Sequence, residues 1–164
     1  MILVYSQTET KNFFMRSYIS ILCILLFTSC LNDFDVPESL DQTEADIISY
    51  LTDNNINAQR SNSGLYYIID EEGTGTRPAT DSNVTVAYKG QFLDGTVFEE
   101  SSANGITFNL SQVIPGWTEG ITYFKEGGKG KLIVPSYLAY GSNGTSRIPG
   151  GAVLIFDIHL ISVN

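Results

Sequence analysis

The stretch VIPGWTEGI, residues 113–121, holds the only tryptophan of a 164-residue chain, Trp117, just after a proline and a glycine and at the start of a short predicted helix. A large flat apolar ring in that position needs something to face. Other aromatic and apolar side chains recur where predicted elements end: Tyr88, Phe98, Val113, Ile114, Tyr140, Ile148 and Phe156. Taken one at a time, each is an ordinary core residue. Taken together, their order and spacing say more than any one of them does, through the motifs they belong to.

Other chemistries fall away on inspection of the residues. His159 is the only histidine, and it sits in the last predicted strand on the face opposite Phe156, with no Asp or Glu spaced to make a metal site with it. The sequence contains no Gly-x-Ser-x-Gly elbow and no Walker loop. Gly127-Gly128 follows a helix and Gly150-Gly151 precedes a strand, so neither pair opens a helix that could bind phosphate. Neither a cofactor nor a metal is expected.

The front of the chain has a different character. Residues 19–27, ISILCILLF, form an apolar run behind Arg16; crossing a bilayer takes about 20 residues, so the run fits the apolar part of a signal peptide instead. Leu26-Phe27-Thr28-Ser29-Cys30 resembles a bacterial lipobox, whose cysteine becomes the lipid-bearing first residue of the mature protein. Met15 is an alternative start to Met1. The only other cysteine, Cys23, lies inside the removable segment, so no internal disulfide is available to the mature domain. Removing residues 1–29 takes away Lys11, Arg16 and Glu9 and leaves 7 basic and 17 acidic residues. Such a surface repels nucleic-acid phosphates and anionic headgroups, which excludes a nucleic-acid partner and leaves acyl chains on Cys30 as the one route to a membrane.

The elements that must position the aromatic residues follow from periodicity. Residues 30–64 read as a tether and an accessory helix over 40–54, opened by Ser39-x-x-Gln42 as a capping box and carrying Leu40, Ile47, Ile48 and Leu51 on one stripe, with 54–64 a linker by composition. The main domain, 65–164, reads as strands over 65–70, 84–92, 106–110, 130–134 and 152–163, with Val84, Val86 and Tyr88 on one face. One short helix, 117–124, starts after Pro115-Gly116 and ends before Gly127-Gly128. The fold class is α+β, an antiparallel sheet with a single short helix against it and an accessory helix at the front.

Several motifs in register then carry a family resemblance. Val84-Thr85-Val86-Ala87-Tyr88-Lys89-Gly90, Asp94-Gly95-x-x-Phe98, Val113-Ile114-Pro115-Gly116-Trp117-x-x-Gly120, Ala139-Tyr140-Gly141, Ile148-Pro149 and Leu154-Ile155-Phe156-Asp157 together resemble the FKBP-type peptidyl-prolyl cis-trans isomerases, over residues 73–161. The resemblance implies a sheet curled around the short helix and a shallow pocket for the substrate's proline ring, with Trp117 as its floor. It implies walls at Tyr88, Phe98, Val113, Ile114, Phe156 and Ile148, and it places Ile106 where the family often has another aromatic. Tyr140 matches the tyrosine whose hydroxyl donates to a substrate carbonyl, and the N–H of Ile114 matches a second donor. Glu99 stands where the family usually has aspartate, and Arg147 where an apolar residue is common.

The expected activity is isomerisation of X–Pro bonds in proline-containing polypeptides, assisting the folding of envelope or secreted proteins. Macrolide-type inhibitors are further ligands that the family implies. A second reading, a non-catalytic module that grips proline-containing or unfolded segments as a chaperone or assembly factor, is left open by Glu99 and Arg147. The signal and Cys30 point to a lipid-anchored protein of the cell envelope, at the outer membrane or facing the periplasm of a diderm bacterium, and a monomer is expected.

Overall fold

The computed structural model describes residues 39–164. The signal segment, Cys30 and the front of the tether lie outside the described residues. Within them are seven strands: β1 Gln59–Arg60, β2 Tyr66–Glu71, β3 Asn83–Gln91, β4 Val97–Glu100, β5 Ile106–Asn109, β6 Lys129–Val134 and β7 Leu154–Val163. All pair antiparallel in one sheet, in the order β1-β2-β6-β7-β3-β4. The outer edge of β3 is shared, β5 pairing with its first half and β4 with its second. Two α-helices join the sheet, α1 Glu44–Asp53 and α2 Pro115–Gly120, and α2 runs on into a 3-10 turn at Ile121–Tyr123. This is the α+β architecture that the periodicity predicts.

Period-two alternation sorts the strand residues onto two apolar layers. Val84, Val86, Leu132, Val134, Leu154, Phe156, Ile158 and Leu160 point to the layer that holds Trp117, Ile121 and Phe124. Tyr66, Ile133 and Ile155 point the other way, where Ile47 of α1 joins them. Both faces are therefore covered where the end of β6 meets the start of β7, which is why Leu132-Ile133-Val134 and Leu154-Ile155-Phe156 are apolar at every position.

The contact that places α2 depends on two glycines one helical turn apart. A side-chain carbon on Gly116 would fall 2.4 Å from Val134 Cγ1 and 3.2 Å from the Leu138 carbonyl, and one on Gly120 would fall 2.7 Å from both Leu132 methyls. Their lack of a side chain lets the helix lie directly on β6. Pro115 opens the helix at a position where its missing N–H costs nothing, and the Thr118 hydroxyl donates to the Leu110 carbonyl at 2.6 Å, tying the helix to the segment that precedes it.

The front half differs from its sequence reading in three places. α1 begins at Glu44, not near Leu40: Asp41 takes a positive φ of 42°, which stops a helix there, and Thr43 with Asp46 forms the first turn, the Asp46 carboxylate accepting from the Thr43 N–H at 2.7 Å and its hydroxyl at 2.9 Å. Ser39 and Gln42 form no capping box; both bond to residues 150–153 instead. The apolar stripe is also narrower, because Ile47 is buried and Leu51 half-buried while Leu40 and Ile48 are exposed. Residues read as linker contain β1, whose Gln59 and Arg60 pair with Tyr67 and Tyr66; a two-residue strand carries no periodicity to read.

Gly116→Ala should lower stability by about 1–3 kcal/mol through overpacking against Val134, even though alanine is the better helix former by roughly 1 kcal/mol. Urea unfolding at unchanged m-value measures this; a variant as stable as the parent would show that the close approach is not needed.

Candidate functional site

The end of α2, β3, β5 and the turn after β6 enclose a cleft of about 480 Å³ lined by Tyr88, Glu99, Ile106, Phe108, Gln112, Val113, Ile114, Trp117, Tyr140 and Phe156. Trp117 is only 6% exposed and Phe156 only 4%. Their rings meet edge to face at 5.1 Å, and Tyr88 meets Trp117 in the same way at 4.9 Å. Phe108 lies against the indole from β5 at 5.4 Å. Edge-to-face packing of this kind fixes the tilt of each ring and adds to the stabilisation from burial. The Trp117 Nε1 is, among the described residues, the one buried side-chain nitrogen or oxygen without a hydrogen-bond partner.

Eight of the residues singled out by sequence line this cleft: Tyr88, Glu99, Ile106, Val113, Ile114, Trp117, Tyr140 and Phe156. Phe98 and Ile148, expected as walls, do not. β4 carries a bulge at Phe98, since Gly90 opposes Glu99 and Gln91 opposes Val97. The Phe98 ring packs over Gly90, 2.6 Å from where a side-chain carbon would stand, and meets Phe156 edge to face at 5.8 Å. Ile148 is buried in the main core beneath its loop, with its N–H donating to the Thr145 hydroxyl at 3.1 Å. Phe108 and Gln112 were not read from the sequence. Phe108 stands two residues after Ile106 on the same face of β5, so alternation alone would have found it; nothing marked Gln112.

The rim carries the charge. The Tyr88 hydroxyl is pushed up to about 12, first by burial and then by the negative charge of Glu99, while the Arg147 cation pulls it back. Tyr140, 40% exposed on the turn after β6, is raised by the same burial and the same carboxylate, and is lowered by Arg147. Both hydroxyls therefore remain protonated donors at neutral pH. Ile114 caps α2 with its carbonyl, which accepts from Trp117 N–H at 2.9 Å and Thr118 N–H at 3.1 Å, so its own N–H precedes the helical ladder, and the residue lines the cleft. Glu100 and His159 lie on a separate groove across the sheet, together with Lys89, Lys129 and Asp157. There Asp157 pairs with Lys89 at 3.1 Å and with Lys131, and these cations hold its carboxyl below the ordinary range against the opposing effect of burial.

A family model described as "FKBP-type peptidyl-prolyl cis-trans isomerase" matches residues 75–161. The chain belongs to that family. It is 50% identical over 104 residues to the probable FKBP-type peptidyl-prolyl cis-trans isomerase FkpA of Neisseria meningitidis serogroup B, a match covering 62% of this chain and 38% of the relative. Against the FkpA of Escherichia coli K12 the identity is 45% over 105 residues, covering 63% and 39%. The chain thus spans about two fifths of the curated relatives it matches. Among solved structures it is similar to the crystal structure of FkpA from Escherichia coli, with a TM-score of 0.70 and 31% identity over 98% of this chain and 74% of that one. It is also similar to a peptidyl-prolyl cis-trans isomerase from Pseudomonas syringae pv. tomato, with a TM-score of 0.65 and 30% identity over 75% and 96%. The FKBP match begins after β2, so the residues ahead of it, α1 included, fall outside the part that defines the family.

Two tyrosines give the protein a pH signature. Tyr88, at the cleft, and Tyr123, which donates to Glu119 away from it, are both raised to about 12 from an ordinary value of 10.0. Between these values the folded protein keeps protons that the unfolded chain has lost, so stability falls as pH rises through that window and is level below it. Tyr88→Phe should flatten part of the fall. Glu99→Gln should bring Tyr88 ionisation to lower pH, since a negative neighbour is removed. Phenolate absorbance read against pH tests both, and a curve indifferent to Glu99 would place that carboxylate away from Tyr88.

Proposed function

We propose that the protein is a peptidyl-prolyl cis-trans isomerase that assists the folding of envelope or secreted proteins, working in the cleft floored by Trp117. The observation that carries this reading is the indole itself: a buried ring held by Tyr88, Phe156 and Phe108 in a cleft lined mostly by apolar and aromatic side chains. Rotation about an X–Pro bond needs no nucleophile and no metal. Its barrier of ~18–20 kcal/mol is the amide resonance lost as the bond twists, so catalysis consists of holding the twisted amide more tightly than the planar one.

The residues divide that task. Trp117, Tyr88, Phe156, Val113 and Ile106 receive the proline ring and keep water from the amide, which favours the twisted form because it has less charge separation. The Tyr140 hydroxyl and the Ile114 N–H donate to carbonyls flanking the proline and hold the substrate in a turn. Glu99 offers an acceptor at the rim, one methylene longer than the aspartate usual in the family. Phe98 acts by bracing Phe156. Proline-containing polypeptides are the substrates, and ligands that mimic the proline ring, such as macrolide-type inhibitors, would enter the same cleft.

In a prolyl-peptide isomerisation assay, Trp117→Ala should lower kcat/KM by about tenfold or more, which is ~1.4 kcal/mol or more of lost transition-state binding. Tyr140→Phe should give a smaller loss, and Glu99→Asp a gain. A folded parent protein that accelerates no prolyl peptide but still binds one would replace the enzyme with a binding module.

The location rests on the sequence ahead of the described residues. Cys30, at the end of Leu26-Phe27-Thr28-Ser29-Cys30, is proposed as the acylated first residue that anchors a monomeric domain in the envelope. Cys30→Ser should then move the protein from the membrane fraction to the soluble one and abolish labelling by a clickable fatty acid. Unchanged partitioning and labelling would remove the anchor from the account.

A further inference from the structure

We infer that the strap formed by residues 39–43 is a positioning element for the pocket, with Gln42 as its key side chain, acting on Tyr140 through the loop of residues 141–153. The inference rests on the isomerase reading above and concerns residues outside the family match.

Tyr140 and the loop after it contain neither helix nor strand, so their place must be set by other bonds. Inside the loop, the Gly151 N–H donates to the Gly141 carbonyl at 2.9 Å, directly beside Tyr140, and the Gly144 N–H donates to the Tyr140 carbonyl at 3.2 Å. A side-chain carbon on Gly150 would fall 2.0 Å from the Ser142 carbonyl oxygen, so the two ends of the loop lie backbone on backbone. The base that closes the loop, residues 150–153, therefore fixes the height of Tyr140 over the cleft.

That base is held in turn from outside, by a segment more than a hundred residues earlier in the chain. The Leu40 N–H donates to the Gly150 carbonyl at 2.8 Å, the Gln42 N–H to the Gly151 carbonyl at 3.0 Å, and the Ser39 hydroxyl to the Gly150 carbonyl at 3.1 Å. The Gln42 Oε1 completes the set by accepting the Val153 N–H at 2.8 Å. Val153 is fully buried, and its N–H would otherwise stand unpaired where β7 is about to begin. Gly151 accommodates the strap: it has a φ of +72°, and a side-chain carbon there would lie 2.5 Å from the Asp41 nitrogen. The strap is not there to bury apolar surface, since Leu40 is exposed. What it contributes is hydrogen bonds to the base of the loop that follows Tyr140.

The test uses the full chain with Gln42→Leu, which keeps bulk and removes the acceptor, and Gln42→Glu, which restores an acceptor oxygen. Leu40→Pro deletes the N–H that donates to the Gly150 carbonyl, at an exposed position, and serves where Gln42→Leu folds poorly. Amide hydrogen exchange at Gly151 and Thr145 should quicken by about tenfold in Gln42→Leu relative to core amides such as Leu132, and return in Gln42→Glu. The same substitution should lower kcat/KM by about fivefold, but have little further effect in a Tyr140→Phe background, the mark of two residues acting as one unit. Unchanged loop exchange overturns the inference, as does an equal kinetic loss with and without the Tyr140 hydroxyl. A parent protein without isomerase activity would overturn the functional reading instead, and loop exchange would still decide whether the strap holds the loop.

Discussion

Everything about the site depends on how closely α2 can approach β6. Gly116 and Gly120, one turn apart, leave the helix face bare where Val134 and Leu132 press against it. The helix therefore sits low on the sheet, and the first large residue on it, Trp117, has nowhere to go but flat between strands that carry Tyr88, Phe108 and Phe156. Two of those rings, Tyr88 and Phe156, stand nearly perpendicular to the indole and hold its tilt, and Trp117 lines the cleft. The shape of the pocket is a consequence of two absent side chains.

Around that floor, the sheet distributes labour by alternation and by its breaks. Where β3 runs regularly, Val84, Val86 and Tyr88 project to the same layer, and the last of them reaches the cleft. Where pairing breaks, as at the β4 bulge, a residue is re-aimed: Phe98 turns over Gly90 to brace Phe156, while Glu99 takes the rim. Burial and the Glu99 carboxylate raise the hydroxyls of Tyr88 and Tyr140 by more than Arg147 lowers them, so both phenols remain donors.

Much of this was legible in the sequence because it depends on local rules. β3 follows from period-two patterning and α2 from Pro115 and the glycines beyond it, while eight of the cleft residues were named through the family resemblance, six inside its motifs and Glu99 and Ile106 as departures from them. The misreadings share a cause: long-range bonds that local patterns do not encode. Gln42 looked like the second half of a capping box because its spacing from Ser39 is right, yet its acceptor oxygen goes to Val153. Phe98 stands at the β4 bulge with its ring edge to face with Phe156, and Ile148 is buried in the main core, which local spacing does not convey. Gln59 and Arg60, in a polar stretch with no repeat, form a strand only because Tyr66 and Tyr67 offer an edge.

The central claim is that prolyl bonds turn over on the Trp117 floor. Exchange NMR of a peptide with a single X–Pro bond, recorded while the Trp117 indole N–H resonance is followed in the same sample, tests it most directly. The account predicts that the indole resonance shifts saturably with peptide and that cis–trans exchange cross-peaks appear at catalytic protein concentrations. Exchange cross-peaks with an unmoved indole would place the chemistry elsewhere, and a shifting indole without cross-peaks would mean that the pocket binds proline without turning it.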